Sequence, residues 1–293
     1  MPAVFRFWFR PAGLLSAALV LLFAAPAAAQ ERGSMLPRVS PNASVGQTIG
    51  IATVRLGYSR PSVREREIFG GLVPYGETWR TGANEATTIT LSADATVEGQ
   101  PLAAGTYGLF TIPRPDTWTV IFNKVSEQWG DFSYDASQDA LRVEVTPEAA
   151  PPHELMTFVF EEVTDTSAVL ALYWAETRVP ITFEFDTEAL IRAQAEEAAE
   201  TATDWRVPYQ YAAWALEQGA YPETALQWAA RSVALEEHFA NTALQARLLA
   251  ALGRYREAVA TAEEALALAE AQEEPPRGLD QLREDLEGWE AHL

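Results

Sequence analysis

Residues 181–201 read ITFEFDTEALIRAQAEEAAET, and the repeat of the chain changes inside them. Ile181-Thr182-Phe183-Glu184-Phe185 alternates apolar and polar residues, the period-two pattern of a strand with one covered face. From Asp186 onward the period is that of helices and alanine becomes common. Asp186-Thr187 can cap a helix running to about Thr201, because a short side-chain oxygen there accepts from an otherwise unpaired backbone N–H. The boundary near Asp186 therefore separates a strand-forming region from a helix-forming one.

From Val45 to Phe185 short runs rich in β-branched and aromatic residues are separated by Gly, Pro and Asp. Thr88–Ser92 and Leu141–Val145 alternate in the same way as Ile181–Phe185, so each covers a core on one side. Tyr107–Ile112, Trp118–Phe122, Leu155–Phe160 and Ala168–Trp174 are apolar on both faces, which predicts strands covered on both. Pro113-Arg114-Pro115-Asp116 and Glu98-Gly99-Gln100-Pro101 are turn chemistry and predict two hairpins. Many short strands with frequent turns and no helical pattern between them predict an antiparallel β-sandwich.

The helical half contains an internal repeat. Gly219-Ala220-Tyr221 and Gly253-Arg254-Tyr255 are 34 residues apart, the tetratricopeptide period. Gly253, Tyr255, Ala258 and Ala265 sit at the spacing of that repeat, and Ala225, Ala229 and Ser232 correspond in the first unit after an insertion at Pro222. Small residues at those places let paired helices approach closely. Asn241 is expected to cap a helix ending before Gly253, and a capping helix is expected near Leu279 to Trp289. So short an array is expected to lean on the sandwich.

The first residues have a charged start (Arg6, Arg10), an apolar run from Ala12 to Ala25 and small residues Ala27-Ala28-Ala29, the layout of a secretory signal peptide cut after Ala29. The expected organisation is thus a leader over 1–29, a flexible segment over 30–44, a sandwich over 45–186 and a tetratricopeptide-like helical domain over 187–293. Such a chain is expected in the periplasm or outside the cell, with no membrane-spanning segment once the leader is removed. Cysteine is absent, so neither disulfides nor a lipidated cysteine enter. Loss of the leader's two arginines takes the net charge from −20 to −22, which argues against nucleic acid as a partner.

No cysteine nucleophile, HExxH, GxSxG or phosphate-cradling glycine loop is present, so no catalytic residue is assigned and no cofactor is expected. His153, His238 and His292 are far apart in sequence, which speaks against a multi-histidine metal site. His153 is expected in a loop after Pro151-Pro152.

The distribution of cations is more informative. Arg55, Arg60, Arg64, Arg66 and Arg80 fall within 26 residues, running toward the stretch PYGETWRTGANEATTI (74–89). Arginine forks bind carboxylate, phosphate or sulfate in bidentate fashion. Arg64-Glu65-Arg66-Glu67 is also readable as a self-neutralising solvated loop, and Arg80 as one half of an internal clamp with Glu85. Gly82 is expected to allow a tight turn of positive φ, with Asn84 and Glu85 satisfying that turn or facing a cleft. Residues 121–131, IFNKVSEQWGD, form a second candidate loop with the chain's one lysine, Lys124, near Trp129. The expected ligand site is Arg60, Arg80 and Lys124 holding an anionic group, Trp79 and Trp129 as walls for a sugar or planar ligand, and Asn84 and Glu85 setting geometry.

These residues lie in a run of ordered motifs: Tyr58-Ser59-Arg60-Pro61-Ser62, Ile68-Phe69-Gly70, Val73-Pro74-Tyr75-Gly76, Trp79 through Thr87, Ala104-Gly105-Thr106-Tyr107, Phe110-Thr111-Ile112-Pro113, Ile121-Phe122-Asn123-Lys124 and Gln128-Trp129-Gly130. Together they resemble the exported bacterial family called domain of unknown function 2911, over about Gly46 to Asp186. The resemblance implies a domain and carries no activity with it. The resemblance of the tail to a tetratricopeptide module implies a protein partner for 187–293. Three functions are consistent with this sequence: an exported or envelope-associated binding module for a small anionic or carbohydrate ligand, a carbohydrate-active hydrolase or lyase using Glu85 as acid or base, and a scaffold working through its helices alone.

Overall fold

A computed structural model describes residues 36–293, so the expected leader over 1–29 and its expected cleavage after Ala29 lie outside the described residues. The β half consists of two antiparallel sheets. One runs in the order β1 (Asn42–Ile49), β2 (Ala52–Ser59), β3 (Thr87–Leu91), β6 (Gly105–Ile112), β7 (Trp118–Asn123) and β8 (Asp139–Val145). The other runs β5 (Gln100–Leu102), β4 (Ala95–Val97), β10 (Ser167–Glu184) and β9 (Glu148–Glu161). Both expected hairpins are present: β4 pairs with β5 across Glu98-Gly99, both at positive φ, and β6 pairs with β7 across Pro113–Asp116.

The inner faces meet in one core, in which Ile89, Leu109, Val120 and Phe122 of the large sheet face Met156, Leu170, Trp174 and Phe183 of the small one. β6 and β7 are buried on both faces for a local reason: residues after Asn123 fold back over the outer face, where Ala86, Phe110 and Ile121 pack with Ile112 and Tyr134. Gly108 makes room for that return, since a Cβ there would stand 2.8 Å from the Val125 carbonyl. β9 departs from the two-faced expectation. It is an edge strand with Met156 and Phe158 turned inward and Leu155 and Val159 exposed. Its 14 residues also include His153, which is paired with Ala175 and packed on the Tyr173 ring rather than standing in a loop. β10 joins what read as two strands into one of 18 residues, with irregular pairing around Ala175, a residue at φ 53.

Six helices follow: α1 (Thr187–Thr201), α2 (Arg206–Gln218), α3 (Pro222–Leu235), α4 (Phe239–Ala251), α5 (Tyr255–Glu270) and α6 (Leu279–Glu290). Each packs on the next, as in a repeat stack. Gly219 and Gly253 occupy left-handed positions after α2 and α4, and Ala225, Ala229, Ser232, Ala258 and Ala265 are fully buried where helices pack. Asp186 caps α1 by accepting from the Ala189 N–H. The cap of α4 differs from expectation: His238 is the N-cap residue, and Asn241 lies three residues in, fully buried, accepting from the His238 N–H and donating to Ser232 Oγ and the Glu236 carbonyl. The helices are anchored where the strand region ends, by the Thr187 hydroxyl donating to the Asp165 carbonyl (2.6 Å) and by Leu190 packing on the sandwich core.

Candidate functional site

The segment between β2 and β3 is a long excursion over one end of the sandwich, and its return determines where Arg80 goes. Trp79 and Thr111 exchange both backbone hydrogen bonds (2.8 and 2.9 Å), which docks the excursion on β6. Thr81 then takes φ 52 and Asn84 φ 61, so the left-handed residues of this corner are these two and not Gly82. Gly82 is needed for space instead, because a Cβ would meet Thr87 Oγ1 at 3.0 Å and the Ser59 carbonyl at 3.2 Å. A β-branched residue in the left-handed region costs on the order of 1–3 kcal/mol. Thr81 is held there by a hydroxyl contact to Thr111 (3.1 Å) and by the Thr87 hydroxyl donating to its carbonyl (2.7 Å).

This corner separates Arg80 from Glu85. Glu85 accepts two hydrogen bonds from Arg38 Nη1 (2.8 and 2.7 Å), with both side chains mostly buried, and its backbone bridges to Trp129. The Arg80–Glu85 clamp is thus not formed. Arg80 turns the other way, into a cavity of about 320 Å³ under the excursion. Its lining includes Val39 and Ser40 from the N-terminal segment, Arg64, Arg66, Leu72 and Glu77 from the excursion, Asp131, and the indoles of Trp79 and Trp174.

Of the seven residues expected at the site, Trp79 and Arg80 line this cavity and the other five do not. Arg60 donates through Nε to the Met156 carbonyl (2.8 Å) and through Nη2 to Thr157 Oγ1, fastening the excursion to β9. Asn84 donates to the Ser40 carbonyl and to Ser59 Oγ, fastening the N-terminal segment. Glu85 holds Arg38, as described. Lys124 is exposed, and Trp129 is 60% exposed on the outer loop. Trp79 is a core residue, stacked on Trp174 with ring centroids 5.7 Å apart and its Nε1–H given to the Gly82 carbonyl. Segment 36–41, expected to be flexible, forms part of the cavity wall through Val39 and Ser40, and β1 begins at Asn42.

The outer loop owes its position to Asn123. That side chain is fully buried, donates to the Asp135 carbonyl (3.0 Å) and Asp139 Oδ1 (2.8 Å), and accepts from the Val125 N–H (3.0 Å). Asp139 Oδ2 also accepts from the Tyr134 hydroxyl and Arg142 Nε, each at 2.7 Å. Burial, aided by the Asp139 carboxylate, pushes the Tyr134 phenol up to about 12. The network holds the loop that delivers Asp131 to the cavity.

Two features of the cavity are unusual for a folded interior. Arg80 has a side chain only 27% exposed, yet its guanidinium makes no hydrogen bond among the described residues and its Nε is buried without a partner. Its ionic contact is with Asp131, at an Nη1–Oδ2 distance of 3.9 Å that is too long for a hydrogen bond. Trp174, 1% exposed, likewise has an Nε1–H that is buried and unpartnered. Buried donors are nearly always paired, so these two groups, both on residues that line the cavity, are exceptions among the described residues. Trp174 lacked any sequence signal as a site residue, because it sits in an apolar run that reads as core.

Compared with known proteins, residues 40–183 match the family described as "Protein of unknown function (DUF2911)". No curated protein matches the chain.

Proposed function

Because the sandwich belongs to the DUF2911 family, whose description assigns no activity, the reading rests on the site, and we propose that the protein is an exported binding module. It holds a small molecule in the cavity lined by Arg80 and Trp174, through an anionic or other hydrogen-bond-accepting group. The single observation that supports this is the state of Arg80: a half-buried side chain whose Nε is buried without a partner and whose guanidinium makes no hydrogen bond among the described residues, in a chain where Arg38, Arg60, Arg66 and Arg178 all donate to protein acceptors. A buried donor kept without a partner weakens a fold, and such arrangements belong to sites organised for a ligand. Export is inferred from the leader-like residues 1–29.

The test is a thermal-shift and calorimetric screen of the mature chain against small carboxylates, phosphates and monosaccharides, repeated with Arg80→Met. Binding in the parent chain that is lost in the folded variant supports the proposal; equal binding by both rejects it. The helices are proposed to serve a protein partner along the groove that Leu216, Arg247, Tyr255, Asp285, Trp289 and His292 line. Deleting α6 should abolish co-purification of that partner from periplasmic extract, and unchanged co-purification would reject this role.

A further inference from the structure

We infer, building on the binding role proposed above, that the cavity takes a monocarboxylate with a compact apolar body, its carboxylate held by Arg80 and Trp174. Charge gives the first reason. The lining carries three cations, Arg64, Arg66 and Arg80, against two acids, Glu77 and Asp131, a surplus of one positive charge. A monoanion neutralises that surplus. A dianion such as a phosphate monoester brings a second negative charge beside Asp131, whose carboxylate already stands 3.9 Å from Arg80.

The donors give the second reason. Arg80 offers a planar fork and Trp174 a single N–H, and both Arg80 Nε and Trp174 Nε1 lack partners. A carboxylate has two oxygens in one plane and about four acceptor positions, enough for the fork and the indole together. Both nitrogens are sealed from solvent in this structure, so the Arg80 side chain shifts as the oxygens enter. That movement is open to Arg80, whose guanidinium is fixed by no hydrogen bond among the described residues, and closed to Arg60, which is fixed by two.

The walls give the third reason. Val39, Pro61, Leu72, Val73, Pro74 and Ala83 present hydrocarbon to the space, while hydroxyls come only from Ser40, Ser62 and Thr78. A compact hydrocarbon chain or ring has these side chains to pack against, while the rest of the lining, which makes the accessible surface slightly more polar than apolar, surrounds its carboxylate. A volume of about 320 Å³ is at the small end of ligand pockets, which run from about 300 to 1,000 Å³.

The experiment is titration calorimetry of the full mature chain with benzoate, isovalerate, inorganic phosphate and glucose. Benzoate or isovalerate is expected to bind, with affinity at least about tenfold weaker in Arg80→Met and clearly weaker in Trp174→Phe, since each variant removes donors to the anion. Arg80→Lys keeps the charge without the fork and is expected to recover only part of the loss. Phosphate or glucose binding that depends on Arg80, with neither acid bound, overturns the monocarboxylate assignment and leaves the binding role standing. Acid binding that is indifferent to both Arg80→Met and Trp174→Phe overturns the assignment of this cavity. If no probe binds the parent chain, the assignment and the binding role fall together. Far-ultraviolet circular dichroism and urea unfolding of each variant separate loss of binding from loss of fold.

Discussion

Arg60 and Arg80 are indistinguishable by residue type and lie twenty positions apart, yet the structure gives them different surroundings, and paired substitutions measure the difference. In Arg60→Met the Met156 carbonyl and the Thr157 hydroxyl lose a charged donor. Hydrogen bonds to charged groups contribute about 1.5–3 kcal/mol each, so with partial exposure the loss is expected to be about 2–4 kcal/mol. In Arg80→Met the polar interaction lost among the described residues is the 3.9 Å contact with Asp131, worth about 0–1 kcal/mol for a partly exposed pair. Against this, the substitution removes a buried unpartnered N–H, which relieves about 1–3 kcal/mol of desolvation cost. Methionine keeps most of the stem packing, so the net change is expected within about 1 kcal/mol of zero, or slightly stabilising. Urea unfolding followed by near-ultraviolet circular dichroism reads the sandwich. A loss of about 2–4 kcal/mol moves the midpoint by on the order of 1 M at slopes of about 1–3 kcal/mol/M. Arg60→Met should show that movement and Arg80→Met should not. If Arg80→Met is as costly as Arg60→Met, Arg80 holds the fold together and the binding role assigned to it is wrong.

Asn123→Ala is expected to cost about 2–4 kcal/mol, because it leaves the Val125 N–H, the Asp135 carbonyl and one Asp139 oxygen without their partner; a loss below about 1 kcal/mol in urea unfolding would contradict this. Gly108→Ala places a methyl 2.8 Å from the Val125 carbonyl and 2.9 Å from the Phe110 ring, and should destabilise by about 1–3 kcal/mol while increasing hydrogen exchange in residues 124–135. Unchanged exchange there would show that the loop does not rest on β6. Because the Tyr134 phenol is raised to about 12 from the usual 10, the folded state favours its proton; the stabilisation is complete below pH 10 and is lost as pH rises toward 12. Tyr107, Tyr173 and Tyr221 are raised as well, so absorbance titration at high pH should show several late-ionising tyrosines, of which the component near pH 12 disappears in Tyr134→Phe; no change in the titration would refute the assignment.

The change of period at Asp186, the strand runs and the 34-residue spacing in the helices were legible because each reflects local geometry. Alternation follows from the pleat, and Gly219 and Gly253 mark left-handed helix ends. What the strand runs concealed was what covers their second face. Phe110 and Ile121 are buried by residues that return after Asn123, whereas Leu155 and Val159, in an equally apolar run, face outward from an edge strand. At the site, the sequence pointed to Arg60, Trp79, Arg80, Asn84, Glu85, Lys124 and Trp129, of which Trp79 and Arg80 line the cavity. It did not separate Arg80, which is uncommitted, from Arg60, whose partners are nearly a hundred residues away on β9. Nor did it show that Glu85 would be held by Arg38, 47 positions earlier, or that the indole of Trp174 would reach the same cavity from β10. Partner choice depends on pairings across the sandwich that no local pattern encodes.

The most direct test of carboxylate binding at Arg80 and Trp174 is a pair of proton–nitrogen correlation spectra of residues 30–293, without and with saturating benzoate, covering indole and arginine Nε signals. The Trp174 indole and Arg80 Nε signals, identified by their loss in Trp174→Phe and Arg80→Met, are expected to move strongly downfield as they gain an acceptor. The Arg60 Nε and Trp129 indole signals should stay in place. Unmoved Trp174 and Arg80 signals, or shifts concentrated at Arg60 or Trp129, would contradict that binding.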